Sequence, residues 1–222
     1  MVTGVIFDMD GVLLDSMPVW ENIDIIYLRE HGKEPRPGLS EVLLTKSLSE
    51  AADYIRTEYG LPKTTEEIVR EIVDAIHEQY KTKIPMKKGA LAFLKQLKAH
   101  GIAVTVATSS DRVLAEAALK RLGMLPFFEG IFTCEEAGAG KRESPAVYRN
   151  ALACMGTKIE ETWVFEDVLH GIRTAGQAGF KTVGIYDAAS EGNLALLQQE
   201  ATMYLGDLQD FERFYKAALE TV

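Results

Sequence analysis

The chain has 222 residues, 47% of them hydrophobic, enough to bury a substantial core as one larger domain or a domain with an insertion, which excludes a disordered chain. Its 33 acidic residues outnumber 24 basic ones, for a formal charge of -9, and that excess argues against nucleic acid, which is held largely through Lys and Arg clusters. No segment approaches the ~18 uninterrupted apolar residues of a membrane span, and the N-terminus lacks the basic and apolar regions of a leader, so a soluble, cytoplasmic protein without a membrane partner is expected.

The first element is a buried strand, Val5-Ile6-Phe7, which ends abruptly in Asp8, Asp10 and Asp15 with only Gly11 and apolar residues between them. Unpaired carboxylates repel each other and are rarely buried. Three of them so close ask for a cation or for a turn, and Asp10-Gly11 alone would serve a turn.

From about Pro18 to Tyr80 the pattern is helical only. Val19, Trp20, Ile23, Ile26 and Tyr27 form one face of a first helix that stops at His31-Gly32. Ser47-Leu48-Ser49-Glu50 and Thr64-Thr65-Glu66-Glu67 have capping-box spacing, and the second leads into an apolar stripe of Ile68, Ile72, Ile76 and Tyr80. Lys81, Lys83, Lys87 and Lys88 then read as a solvated edge.

After Ile84-Pro85 helices and strands alternate. A helix from Ala90 to Ala99, closed by Gly101, precedes apolar runs at Ile102–Ala107, Gly130-Ile131-Phe132, Trp163-Val164-Phe165 and Thr182–Ile185, separated by helix-sized segments. That order predicts βαβ units. The expected fold is α/β: a Rossmann-like, mostly parallel sheet formed by residues 1–16 and 84–222, with an inserted helical domain at 17–83. Cys134 and Cys154 lack zinc-site spacing and read as packing residues.

Ligands of open parallel sheets bind beyond the carboxyl ends of the strands, near the switch point of strand order. Asp8 and Asp10 follow the first strand and Thr108-Ser109-Ser110-Asp111 the second. Lys141-Arg142 lies in the loop after the third, and Glu166-Asp167 follows the fourth. Successive strand ends thus carry acids, hydroxyls, a cation and two more acids.

In this order and context the chain resembles the haloacid dehalogenase superfamily, in the branch of β-phosphoglucomutases and phosphoglycolate phosphatases. Its first motif, D-x-D-G-V/T with a following acid, stands here as Asp8-Met9-Asp10-Gly11-Val12 with Asp15, the second as Thr108-Ser109, and the fourth as Glu166-Asp167 with Gly171. The similarity spans essentially the whole chain, helical cap included. The third motif departs: the family has Lys-Pro-x-Pro, whereas Gly140-Lys141-Arg142-Glu143-Ser144-Pro145 puts Lys141 four and Arg142 three residues ahead of the proline. Either can be the cation, and Lys141, which follows the glycine as in the family, is preferred.

The resemblance implies a Mg2+-dependent phosphoric monoester hydrolase. Asp8 would be the nucleophile, Asp10 the general acid and base, and Lys141 the counter-charge to the phosphoryl group. Thr108 and Ser109 would bind phosphate. Asp8, the Asp10 backbone carbonyl, Glu166 and Asp167 would hold the metal. Oxygen-only ligands suit a hard cation, and phosphoryl transfer to a carboxylate needs its charge neutralised. A monomer acting on a small-molecule phosphomonoester is expected. A phosphosugar mutase is the alternative, but where β-phosphoglucomutases carry a His five positions beyond the third acid, this chain has Trp20. The rival from another class, a magnesium-binding phospho-acceptor regulator, needs no large helical insertion.

Overall fold

The computed structural model describes residues 1–43 and 46–220. It divides into two compact units, Met1–Met17 with Ile84–Val222, and Pro18–Lys83.

The larger unit is built on a six-stranded sheet. Its strands are β1 (Gly4–Phe7), β2 (Ala103–Thr108), β3 (Ile131–Thr133), β4 (Thr162–Glu166), β5 (Lys181–Ile185) and β6 (Met203–Leu205), in the spatial order β3-β2-β1-β4-β5-β6. All neighbours pair in parallel. Five strands lie where the apolar runs predict them. β6 has only three residues, too few for an alternation to register in the sequence.

The chain leaves β1 for β2 and β3 on one side and then crosses to β4, β5 and β6 on the other. The switch point is therefore at the carboxyl ends of β1 and β4. Their register aligns Ile6 with Val164 and Phe7 with Phe165, and the Asp8 amide continues the ladder by donating to the Phe165 carbonyl at 2.9 Å.

Alternation sends the two sets of side chains to opposite faces. Ile6 and Val164 pack with Val147, Tyr148 and Ala151 of the helix Ala146–Met155 and with Phe180. Phe7 and Phe165 turn the other way, 4.6 Å apart between ring centroids, into an aromatic cluster with Phe93 and Phe214. Asp8 and Glu166, two residues beyond Ile6 and Val164, follow these onto the Tyr148 face.

Every regular element of the smaller unit among its described residues is a helix: α1 (Met17–Glu30, begun at the last residue of the larger unit), α2 (Leu39–Leu43), α3 (Leu48–Tyr59) and α4 (Thr65–Thr82). Both expected capping boxes form, Ser47 with Glu50 and Thr64 with Glu67, each hydroxyl accepting from the N3 amide and each carboxylate from the cap amide. The Ile68, Ile72, Ile76 and Tyr80 stripe is buried. The α1 stripe differs from expectation: Ile23, Tyr27 and Leu28 are buried, while Trp20 is 41% exposed. The Trp20 indole N–H donates to the Tyr80 hydroxyl at 2.8 Å, and the two rings meet edge to face at 6.3 Å between centroids.

Two further expectations are corrected. Cys154 is exposed rather than packed, whereas Cys134 is half-buried against the core. Lys87 is not a solvated edge residue: it pairs at 2.5 Å with Asp187, a buried acid just beyond β5. No helix among the described residues is long and apolar enough to cross a membrane.

Candidate functional site

At the switch point the chain turns sharply after β1. The Leu13 and Leu14 amides donate back to the Met9 carbonyl, and Gly11 takes φ +77°. A side chain at Gly11 would also collide with the Asp167 carboxylate. The glycine therefore serves both the turn and the close approach of two acidic loops.

Asp8, Glu166 and Asp167 each offer a carboxylate oxygen within 4.8 Å of the others, and all three are buried. Lys141 is the cation between them, 3% exposed, with Nζ 2.6 Å from Asp8 Oδ1 and 2.8 Å from Glu166 Oε1. Arg142 is exposed and makes no ion pair among the described residues. The loop thus turns Lys141 inward despite its extra residue before Pro145. The Met9 amide also donates to Asp8 Oδ1, at 2.7 Å, and the Tyr148 hydroxyl to Glu166 Oε1, at 2.6 Å.

The Asp10 carboxylate lies outside this cluster and accepts from two hydroxyls, Ser16 on Oδ1 and Ser110 on Oδ2, both at 2.6 Å. Thr108, fully buried at the end of β2, accepts from the Ser110 amide at 3.0 Å. Ser109 is exposed, with its hydroxyl 3.6 Å from the Cys134 sulfur; the neighbouring Ser110 is the residue that reaches Asp10. Asp15 donates its amide to the Pro85 carbonyl, joining the two segments that lead into and out of the helical insertion.

Electrostatics follow from burial. Desolvation pushes the Asp8 carboxyl well above the usual carboxylate range, Glu166 adds to the shift, and Lys141 opposes it. Burial, Glu166 and then Asp187 push Asp167 up to about 8. Burial alone would lower the Lys141 ammonium, but Asp8 and Glu166 outweigh it and raise it. Three acids against one lysine leave a formal charge of -2, and Asp187 already has Lys87.

The donor set fits a divalent hard cation. Its ligands are oxygens only, its charge deficit is two, and Glu166 Oε2 is buried without a hydrogen-bond partner among the described residues. In metal-free protein, raised carboxyls stabilise the fold at low pH and lose that stability as pH rises from about 4 towards the raised value. Asp167→Asn is therefore expected to raise the melting temperature in chelator at pH 8 by about 2–8 °C, from relief of about 1–2 kcal/mol. A metal-binding role for the cluster predicts in addition that added Mg2+ raises the melting temperature of the wild type and not that of this variant. Differential scanning calorimetry with chelator and with Mg2+ checks both; a melting temperature that falls in chelator would contradict the repulsion.

Sequence reasoning missed Ser16, Ser110, Tyr148, Lys87 and Asp187. Ser110 was visible as a third hydroxyl in the loop after β2. Tyr148 lies three residues after Pro145, and only the packing of its helix on Ile6 and Val164 reveals that its hydroxyl meets Glu166.

The family model of the haloacid dehalogenase-like hydrolases matches residues 5–185. The chain is 27% identical over 206 residues to the bifunctional riboflavin kinase/FMN phosphatase of Arabidopsis thaliana, covering 92% of this chain and 54% of that one. It is 28% identical over 182 residues to hexitol phosphatase A of Escherichia coli, covering 82% of each. Among solved structures, a candidate β-phosphoglucomutase from Thermotoga maritima superposes with a TM-score of 0.85 at 23% identity, covering 97% of this chain and 99% of that one.

Proposed function

The chain belongs to the haloacid dehalogenase-like hydrolases, and on that footing we propose that it is a magnesium-dependent phosphatase acting on a small phosphorylated metabolite, a sugar phosphate or phosphoglycolate-like monoester, through an aspartyl phosphate. The observation that carries this reading is the buried Asp8 beside Lys141 at the sheet's switch point, with Glu166 and Asp167 facing it. The helical unit, Pro18–Lys83, would take the part that the family's helical cap plays in substrate choice.

Asp8 Oδ1 carries both the Met9 amide and Lys141, so Oδ2 remains for attack on phosphorus. As the new O–P bond forms, the bond to the substrate oxygen breaks, and Asp10 gives that oxygen its proton. In the second step Asp10 takes a proton from water, which attacks the phosphoryl group, restores the Asp8 carboxylate and releases inorganic phosphate. Either transfer uses a carboxylate oxygen that here accepts from a serine hydroxyl, Ser16 on Oδ1 or Ser110 on Oδ2. Lys141, Thr108 and nearby backbone amides offset the charge on the phosphoryl oxygens. Mg2+ would be held by Asp8, Glu166, Asp167 and the Asp10 carbonyl, and when bound it supplies charge neutralisation between nucleophile and phosphate.

Hydrolysis is favoured over phosphosugar transfer. Two relatives at 27% and 28% identity carry phosphatase names, whereas the solved structures named as candidate β-phosphoglucomutases stand at 23% and 26%. Trp20 also removes the imidazole found at that position in β-phosphoglucomutases. A panel of phosphorylated metabolites, assayed with Mg2+ and with chelator, should give net inorganic phosphate only with Mg2+. β-Glucose 1-phosphate should yield little glucose 6-phosphate, with no activation by a bisphosphate. Efficient isomerisation with negligible free phosphate would make the protein a mutase, and no release from any substrate would favour a phospho-acceptor regulator.

A further inference from the structure

We propose that Tyr148 is a positioning residue of the metal site, acting through Glu166. Glu166 Oε1 receives two donors, the Tyr148 hydroxyl at 2.6 Å and Lys141 Nζ at 2.8 Å. Both are buried, and the lysine lies 5.8 Å from the Tyr148 ring centroid. Oε2 has no partner among the described residues and belongs to the carboxylate that meets Asp8 and Asp167. The two donors thus determine which oxygen of Glu166 is left for a cation.

The core does not require the hydroxyl. The Tyr148 ring packs among Ile6, Val147, Val164 and Phe180, where a phenylalanine would fill the same space. What the hydroxyl adds is a second anchor on a side chain with three rotatable bonds. With Lys141 alone, shared with Asp8, the carboxylate can turn and present either oxygen to the ammonium. On the opposite side Gly171 leaves room for the group, since a Cβ there would stand 2.7 Å from Glu166 Oε2. Glu166 is therefore held by a hydroxyl on one side and bounded by close backbone on the other, the arrangement by which outer partners orient metal ligands.

This inference rests on the metal reading of the site, and the test separates the two. Mg2+ is titrated calorimetrically into chelator-stripped wild type, Tyr148→Phe, Glu166→Gln and the double variant. Tyr148→Phe is expected to weaken Mg2+ binding by about 10–100-fold. Turnover should fall at limiting Mg2+ and recover as Mg2+ is raised, which a general loosening of the core would not produce. In the Glu166→Gln background the same substitution should have little further effect, since the two residues act as one unit. Equal Mg2+ affinity of wild type and Tyr148→Phe, or an undiminished effect in the Glu166→Gln background, would overturn the role of Tyr148 alone. A wild type that binds no Mg2+ would overturn the metal reading with it.

Discussion

Asp8→Asn is expected to lower turnover by about 10^3-fold or more, because the amide has no anionic oxygen with which to form the phosphoenzyme. The substitution is nearly isosteric, and the Met9 amide can still donate to the remaining carbonyl oxygen, so the turn after β1 should persist. The contact with Lys141 changes more. An ammonium 2.6 Å from Asp8 Oδ1 would meet either a neutral carbonyl or an amide donor, and Glu166 would become its principal partner. Steady-state phosphate release should therefore disappear together with the alkali-labile phosphoprotein seen after brief exposure to substrate. Circular dichroism should remain that of the wild type. Activity within tenfold of the wild type, from protein freshly purified and free of deamidated material, would remove Asp8 from the nucleophile's role.

The parts of this architecture that were legible in the sequence are those in which one local pattern has one physical cause. Val5, Ile6 and Phe7 read as a strand because a doubly covered parallel strand must be apolar on both faces, and all three are fully buried. Thr64 and Glu67 read as a helix start because orphan amides need those acceptors. Four strand ends are polar by sequence alone, and the structure brings Asp8, Lys141, Glu166 and Asp167 together from three of them. What was not legible depends on contacts across the sequence. Spacing from Pro145 left Lys141 and Arg142 open, since a loop can absorb one residue without a pattern to record it. Lys87 looked solvated among neighbouring lysines because its partner, Asp187, lies 100 residues away. Trp20 fits an apolar stripe by spacing, yet it stays partly exposed because Leu28 shares the burial of α1 with Ile23 and Tyr27.

Lys141→Ala and Arg142→Ala should differ sharply although the two residues are adjacent. Loss of the buried ammonium removes the counter-charge to both the nucleophile and the transferring phosphoryl group, and turnover is expected to fall by about 10^2–10^3-fold. Arg142, exposed and without an ion pair among the described residues, should change turnover by no more than about twofold, as surface substitutions away from such features rarely matter. Stability gives a second, independent reading. Without Lys141, Asp8 and Glu166 are left as uncompensated buried acids, and breaking a buried pair in this way costs about 3–5 kcal/mol, or about 6–20 °C in melting temperature for a chain of this size. Lys141 is the group that opposes the upward shift of Asp8, so its removal lets that carboxyl rise further. A carboxyl raised in the folded state binds more protons there than in the unfolded chain, so its contribution is fully present below about pH 4 and is lost as pH climbs through the raised value. The melting temperature of metal-free Lys141→Ala should therefore go on falling to higher pH than that of the wild type, above the unfolded carboxyl at about pH 4. Equal slopes for the two proteins, or a larger kinetic loss for Arg142→Ala, would move the phosphate-facing charge from Lys141 to its neighbour.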